Sequence, residues 1–251
     1  MITIALVENN KRQLDIIANH IASQPHYKLL TTATNGFDML RYCYSSRQLP
    51  QVIVVDIEMG VMDGISLIDY ITRFFNDIKC IVCSNHHHKE MFEDAICCGA
   101  IGLVSKLFTT NNPPIELGDV WHKTKFNGLD ACIEAALKNE FYIDDKMEIL
   151  AKDFLHHINR NSLLLLRSKE LETNAAFGLT QREWKIASLC STTTATLDDI
   201  AALLSVSTKT LQGYLTYIYQ KLNINSRMEL VRFCSTKALV KQARELLGKE
   251  R

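Results

Sequence analysis

Along the first 106 residues, short apolar runs alternate with segments whose apolar positions recur at helical spacing. Ile2-Thr3-Ile4-Ala5-Leu6-Val7 is a β-type run that stops at Glu8-Asn9-Asn10, and Leu14, Ile16, Ile17 and Ile21 then mark one face of a helix. The same alternation predicts strands over 27–33, 51–55, 79–83 and 101–104, with helices over 36–44, 64–75 and 88–98. Gln51-Val52-Ile53-Val54-Val55 is almost wholly apolar, as a strand buried on both faces should be. Five strands with helices between them predict an α/β unit, a five-stranded parallel sheet with right-handed crossovers.

Helical periodicity returns over 129–138 and again from 144 to 172 through Met147, Leu150, Phe154, Leu155 and Ile158, which reads as a helical linker ending in a joint at 174–178. From Leu179 the pattern is all helix. Thr180 and Glu183 have the spacing of a capping box. A short helix over 197–204 is followed by the turn Ser205-Val206-Ser207, a longer helix to Leu222, and a fourth helix from Arg227 to Phe233. Short helix, tight turn and longer helix make the helix-turn-helix plan, in which the second helix enters the DNA major groove.

Composition narrows the class. The chain has 251 residues, 47% of them hydrophobic and 22% charged, with only 4 Pro and 10 Gly, so one or two folded domains are expected and not a low-complexity chain. No run approaches the roughly 18 apolar residues of a membrane helix. Met1 to Val7 lacks a basic flank and meets Glu8 at once, unlike a signal peptide. The eight cysteines are scattered through apolar segments and read as reduced, mostly buried thiols. A cytoplasmic protein is the expectation. Net charge is zero, with 28 basic and 28 acidic residues, but the sum hides a division. Residues 1–120 hold 9 basic and 13 acidic side chains, 121–178 hold 8 and 9, and 179–251 hold 11 and 6. The basic segment is the helix-turn-helix, as nucleic-acid binding requires.

In parallel α/β sheets the functional site lies beyond the carboxyl ends of the strands. Those ends carry Glu8 and Asn9, Asp56, Ser84 and Lys106. A carboxylate can accept a phosphoryl group as a nucleophile. The dense negative charge then calls for Mg²⁺ held by one or two carboxylates, a cationic side chain and a hydroxyl. Asp56 as nucleophile, Glu8 toward the metal, Lys106 as point charge and Ser84 as hydroxyl fill these roles.

At these residues the chain resembles the receiver domain of bacterial two-component response regulators. Val54-Val55-Asp56-Ile57-Glu58-Met59-Gly60-Val61-Met62-Asp63-Gly64 looks like the family's phosphorylation segment, Val82-Cys83-Ser84 like its switch strand, and Cys98 to Lys106 like its Gly-Ala segment leading to the conserved lysine. The resemblance implies a flavodoxin-like doubly wound receiver over 1–142 and a sensor histidine kinase as partner. It implies Asp56, Ser84 and Lys106 as the reaction centre, and Mg²⁺ held by Glu8, Asn9, Asp56 and the backbone carbonyl of Glu58. Departures bear on that site. The family has two adjacent acids where Glu8-Asn9 stands, Pro at Gly60, an aromatic residue at Leu103 and Pro at Leu107. Weak Mg²⁺ binding and slow phosphorylation of Asp56 follow as expectations. About twenty residues, 107–127, are inserted beside Lys106, either a tolerated surface loop or a lid or partner surface, and Glu140-Phe141-Tyr142-Ile143 looks like the family's close to the last receiver helix.

Residues 179–251 resemble the LuxR-type DNA-binding domain of the NarL/FixJ subfamily, on Leu179-Thr180-Gln181-Arg182-Glu183, Asp199 to Ser207, Thr208 to Leu222 and Asn225-Ser226-Arg227. The match implies double-stranded DNA as partner, with Gln212, Gly213 and Thr216 facing the bases, Lys209 and Thr210 near the phosphates, and a homodimer. Gln can pair with adenine and Thr can meet a thymine methyl. The family often has Lys at positions 212, 216 and 198, so modest affinity is expected of one domain alone. Leu211, Leu215, Ile218 and Leu222 read as core.

Weaker signals add little. His86-His87-His88 suggests metal, but adjacent residues cannot all face one ion. Cys80 and Cys83 form C-x-x-C, but within a strand they point to opposite faces. The leading expectation is a phosphorylation-controlled, DNA-binding response regulator and not an enzyme. One rival is a pseudo-receiver controlled independently of phosphorylation. Another is a phosphohydrolase, disfavoured because Glu58 stands where a second Asp is needed.

Overall fold

The computed structural model describes residues 1–85, 89–106, 126–144 and 179–234. The chain divides into two compact units, Met1–Lys152 and Asp153–Arg251. The triple histidine at 86–88, most of the inserted segment and the linker from 145 to 178 lie outside the described residues.

In the first unit β1 (Ile2–Val7), α1 (Lys11–Ser23), β2 (Tyr27–Ala33), α2 (Gly36–Ser45), β3 (Val52–Val55), α3 (Gly64–Phe74), β4 (Lys79–Ser84), α4 (Lys89–Cys98), β5 (Gly102–Ser105) and α5 (Asn127–Leu137) succeed one another. The strands pair in parallel in the order β2-β1-β3-β4-β5, continued by β6 (Tyr142–Ile143). That sixth strand corrects the five-stranded expectation. Glu140 closes the last helix, its N–H donating to Ala135 O at 2.9 Å, and Tyr142 and Ile143 then pass into the strand. The Tyr142 N–H donates to Ile101 O at 3.2 Å and the Asp144 N–H to Leu103 O at 3.0 Å, satisfying an edge β5 would otherwise expose. Periodicity could not reveal a two-residue strand, and Ile143 carries the sheet one residue past 142. The last helix starts at Asn127, two residues before the 129 read from sequence.

Alternation along the strands builds both cores. Ile4, Leu6, Val52, Val54, Ile81, Cys83 and Val104 face Ile17 and Ile21 of α1 and Leu129, Cys132 and Ile133 of α5. Ala5, Val7, Ile53, Val55, Cys80 and Val82 are equally buried on the opposite face. The two cysteines of the C-x-x-C therefore lie on opposite faces, and none of the eight cysteines is in a disulfide. His20 fastens α1 to α5. Its Nε2 is 2.9 Å from Asp130, and its ring stacks on Phe126 at 3.9 Å.

The second unit holds α6 (Gln181–Thr192), α7 (Leu197–Leu203), α8 (Thr208–Leu222) and α9 (Arg227–Phe233). Thr180 and Glu183 form the capping box at α6, and Thr196 and Asp199 form another at α7. The α7–α8 turn passes through Ser205 in a left-handed conformation, φ 54°, and Ser207 caps α8 by accepting from the Thr210 N–H. Leu211, Leu215 and Ile218 are buried as expected, and Leu222 is only half-buried. The Arg227 guanidinium donates to the carbonyls of Cys190, Thr193 and Ala195, tying the start of α9 to the end of α6. Among the described residues no helix is long and apolar enough to cross a membrane.

Candidate functional site

The register of β1, β3, β4 and β5 brings the strand-end residues together. Val7 lies opposite Val55, and the Asp56 N–H donates to Val7 O at 2.9 Å, so Glu8 and Asp56 emerge side by side. Ser84 lies opposite Ser105, one residue before Lys106. Glu8, Asp56, Ser84 and Lys106 are all buried. The Lys106 ammonium spans both carboxylates, 2.5 Å from Glu8 Oε2 and 2.7 Å from Asp56 Oδ1. Burial works against its charge, but Asp56 and Glu8 outweigh that and hold its pKa above the ordinary lysine value. Burial raises the Glu8 carboxyl above the usual carboxylate range in spite of Lys106. Two acids against one base leave the centre short of positive charge, so it suits a further cation better than a further anion.

The three residues after β1 take three different tasks. Glu8 Oε1 accepts the Asn10 N–H at 2.9 Å. Asn10 caps α1 by accepting the Gln13 N–H. Asn9 reaches across the edge, and its Nδ2 donates to the Glu58 carbonyl at 2.8 Å. That carbonyl is the one implied as a metal ligand, and the neutral amide now engages it. The donors Glu8, Asp56 and the Glu58 carbonyl fit Mg²⁺, which needs only one or two carboxylates and keeps several waters. Among the described residues no three His, Cys, Asp or Glu side chains converge as a ready metal site.

Between Asp56 and α3 the backbone is tightly folded. A Cβ on Gly64 would run into the Asp56 carbonyl oxygen, so only glycine lets α3 begin this close to the acid. Asp63 caps α3 by accepting the Ser66 N–H at 2.7 Å. The Met62 N–H donates to Gly60 O at 2.6 Å across Val61, whose φ is 60°. This is a tight γ-turn with a β-branched residue at its strained centre. Gly60, where the family has Pro, thus stands one position before the residue that needs glycine's freedom. Sequence reading noticed the missing Pro and missed the strain, because the order of two loop residues does not reveal which carries the positive φ.

On α8, Lys209, Thr210, Gln212 and Thr216 are exposed and Gly213 is half-exposed, all away from Leu211, Leu215 and Ile218. Thr216 Oγ1 donates to Gln212 O at 2.9 Å. Asp198 is not merely a misplaced charge. It accepts the Thr208 hydroxyl at 2.6 Å, joining α7 to the first turn of α8, where a carboxylate is favourable. Lys221 reaches back to Glu183 at 2.7 Å. Burial pushes the Glu183 carboxyl up, but Lys221 and the Thr180 N–H and hydroxyl hold it net below the usual range. Sequence reading missed Tyr217, which stands 64% exposed beside Thr216. A large aromatic at an exposed position of the second helix of the helix-turn-helix was the available signal.

The thiols do not compete for a catalytic role. Burial pushes Cys43 up to about 12 and Cys190 up to about 11, and raises Cys83 and Cys132 further. All four are therefore protonated and unreactive at neutral pH.

Residues 4–112 match the response regulator receiver domain, and residues 178–234 match the bacterial regulatory proteins of the luxR family. The chain is 26% identical over 220 residues to the oxygen regulatory protein NreC of Staphylococcus carnosus, covering 86% of this chain and 89% of that protein. It is 24% identical over 240 residues to the transcriptional regulatory protein LiaR of Bacillus subtilis, covering 96% and 100%. A solved complex of the two-component response regulator RcsB with DNA aligns with 94% of this chain and 98% of its own, at 16% identity and a TM-score of 0.49.

Proposed function

We propose that this chain, which belongs to the two-component response regulators that join a receiver domain to a LuxR-type DNA-binding domain, is switched by phosphoryl transfer to Asp56. The family acts as DNA-binding transcription regulators and not as enzymes. The observation that carries the proposal is the buried bridge from Lys106 to Asp56 and Glu8, at 2.7 and 2.5 Å. In the reaction an Asp56 carboxylate oxygen attacks the phosphorus of a phosphohistidine on a sensor kinase. The P–N bond breaks, the imidazole leaves and takes a proton, and an acyl phosphate remains. Mg²⁺, held by Glu8, Asp56 and the Glu58 carbonyl, would supply positive charge to the phosphoryl oxygens. Lys106 supplies a second positive charge, and the Ser84 hydroxyl a donor at the same edge. Once Asp56 is phosphorylated, Lys106 turns to the phosphoryl oxygens and its ties to the two acids change, which shifts the β4–β5 edge.

The output is binding of double-stranded DNA by α8, through Gln212, Gly213 and Thr216 toward base edges and Lys209 and Thr210 toward phosphates. Met228, 67% exposed, and Val231 lie one turn apart on α9 and favour a homodimer there, which would bind two half-sites together. The three segments, receiver at 1–142, linker at 143–178 and DNA-binding domain at 179–251, and a place in the cytoplasm, belong to this reading.

The bond from Asn9 to the Glu58 carbonyl favours a second reading, a receiver that folds its site shut without metal and controls DNA binding independently of phosphorylation. Intact mass during incubation with acetyl phosphate and Mg²⁺ tests both. Slow, partial labelling that Asp56→Asn abolishes supports the first, and a complete absence of labelling with unchanged DNA binding supports the second. Rapid stoichiometric labelling would refute the expected weakness of the metal site.

A further inference from the structure

Glycine inside a helix needs a reason, since it costs conformational entropy relative to alanine. Gly213 lies near the middle of α8, sixth of the fifteen residues from Thr208 to Leu222, in a helix of about four turns that would gain from a better helix former. Two reasons internal to the fold fail. A Cβ built at Gly213 meets nothing within 4 Å, so packing does not exclude a side chain. Its backbone is not left-handed, so conformation does not require glycine either. Gly64 provides the contrast, since a Cβ there meets the Asp56 backbone.

Helical spacing gives the position meaning. At 3.6 residues per turn, Lys209, Gly213, Thr216 and Gln220 form the centre of the face opposite the buried Leu211, Leu215 and Ile218. Gln212 and Tyr217 flank that centre on its two sides. The most outward-facing stripe of the helix therefore has bare backbone at its middle, with a polar amide on one flank and an exposed phenol on the other. Lys209 at one end is the stripe's one full charge. This surface has little to offer long-range electrostatic attraction and much to offer close contact.

We infer that Gly213 is kept for close approach: it lets the α8 backbone settle against the base edges of the DNA major groove, with Gln212 and Tyr217 reaching the two sides of the groove. The inference rests on the DNA-binding reading above and names how that site obtains affinity despite uncharged Gln212 and Thr216. Gly213 acts as a positioning residue, through the depth at which α8 lies.

The test pairs stability with binding in the full-length chain. Wild-type protein, with and without acetyl phosphate and Mg²⁺, selects sequences from a randomised double-stranded DNA pool, and the enriched sequences become the probe. Gly213→Ala is expected to raise the unfolding midpoint of the DNA-binding unit by about 2–6 °C while weakening binding about tenfold or more, because the methyl has to fit a close-packed groove. Tyr217→Ala is expected to weaken binding severalfold with no loss of thermal stability. A Gly213→Ala protein that binds the selected DNA within twofold of wild type would overturn the inference and leave the DNA-binding reading standing. Failure of the wild-type chain to enrich any sequence, in either state, would overturn both.

Discussion

The sheet edge and the recognition helix solve opposite electrostatic problems. At the edge, Glu8, Asp56 and Lys106 are buried, and the one ammonium lies within 2.7 Å of both carboxylates and offsets part of their charge. On α8, the side chains offered to a partner are exposed, mostly uncharged and held only by local bonds such as Thr216 to Gln212. Burial strengthens the attraction between the charges at the first place and makes removal of their shared cation costly. Exposure makes each residue at the second nearly irrelevant to folding and leaves it free to serve binding. One region couples function to stability; the other separates them.

The sharpest way to break this contrast is Lys106→Ala. It leaves two buried carboxylates facing each other without a cation, and the receiver should lose about 3–5 kcal/mol in chemical denaturation at neutral pH. Adding Glu8→Gln should recover part of the loss by removing one charge. A small effect of Lys106→Ala would mean that the edge is solvated and that the contrast is false.

An intermediate case lies in the second unit, where Glu183 joins α6 to Lys221 of α8. Its folded pKa lies below the ordinary 4.5, so its contribution is present above that value and is lost as pH falls through the lowered pKa. Hydrogen exchange of α6 and α8 amides between pH 5 and pH 3 should show this loss, and Glu183→Gln should flatten it. The smallest stability effect belongs to the exposed face. Gln212→Ala should change the unfolding free energy by no more than about 0.5 kcal/mol yet cost about 1–3 kcal/mol of base discrimination in a DNA-binding titration. A substantial loss of folding stability would show that Gln212 is structural.

Much of this was legible before any coordinates. Glu8, Asp56, Ser84 and Lys106 could be singled out because each ends an apolar run, and parallel sheets gather such ends at one edge. Thr180 with Glu183, and Ser207 at the head of α8, were readable because caps are local and their spacing is fixed by helix geometry. β6 was not readable, since Tyr142 and Ile143 are too few for a period and pair only because β5 leaves an open edge. Nor was Asn9. Sequence shows a missing charge, whereas the bond to the Glu58 carbonyl depends on two loops meeting 49 residues apart.

By itself, then, the sequence determined the order of the elements, their inward and outward faces, and the chemistry available at the strand ends and along α8. These follow from periodicity and side-chain identity, which act over a few residues. Tertiary structure alone decided that Lys106 bridges both acids, that Asn9 engages a backbone carbonyl, that Gly64 is demanded by contact, and that Gly213 is demanded by none. Each of these depends on which distant atoms approach within a few ångströms, and only the packed chain specifies that.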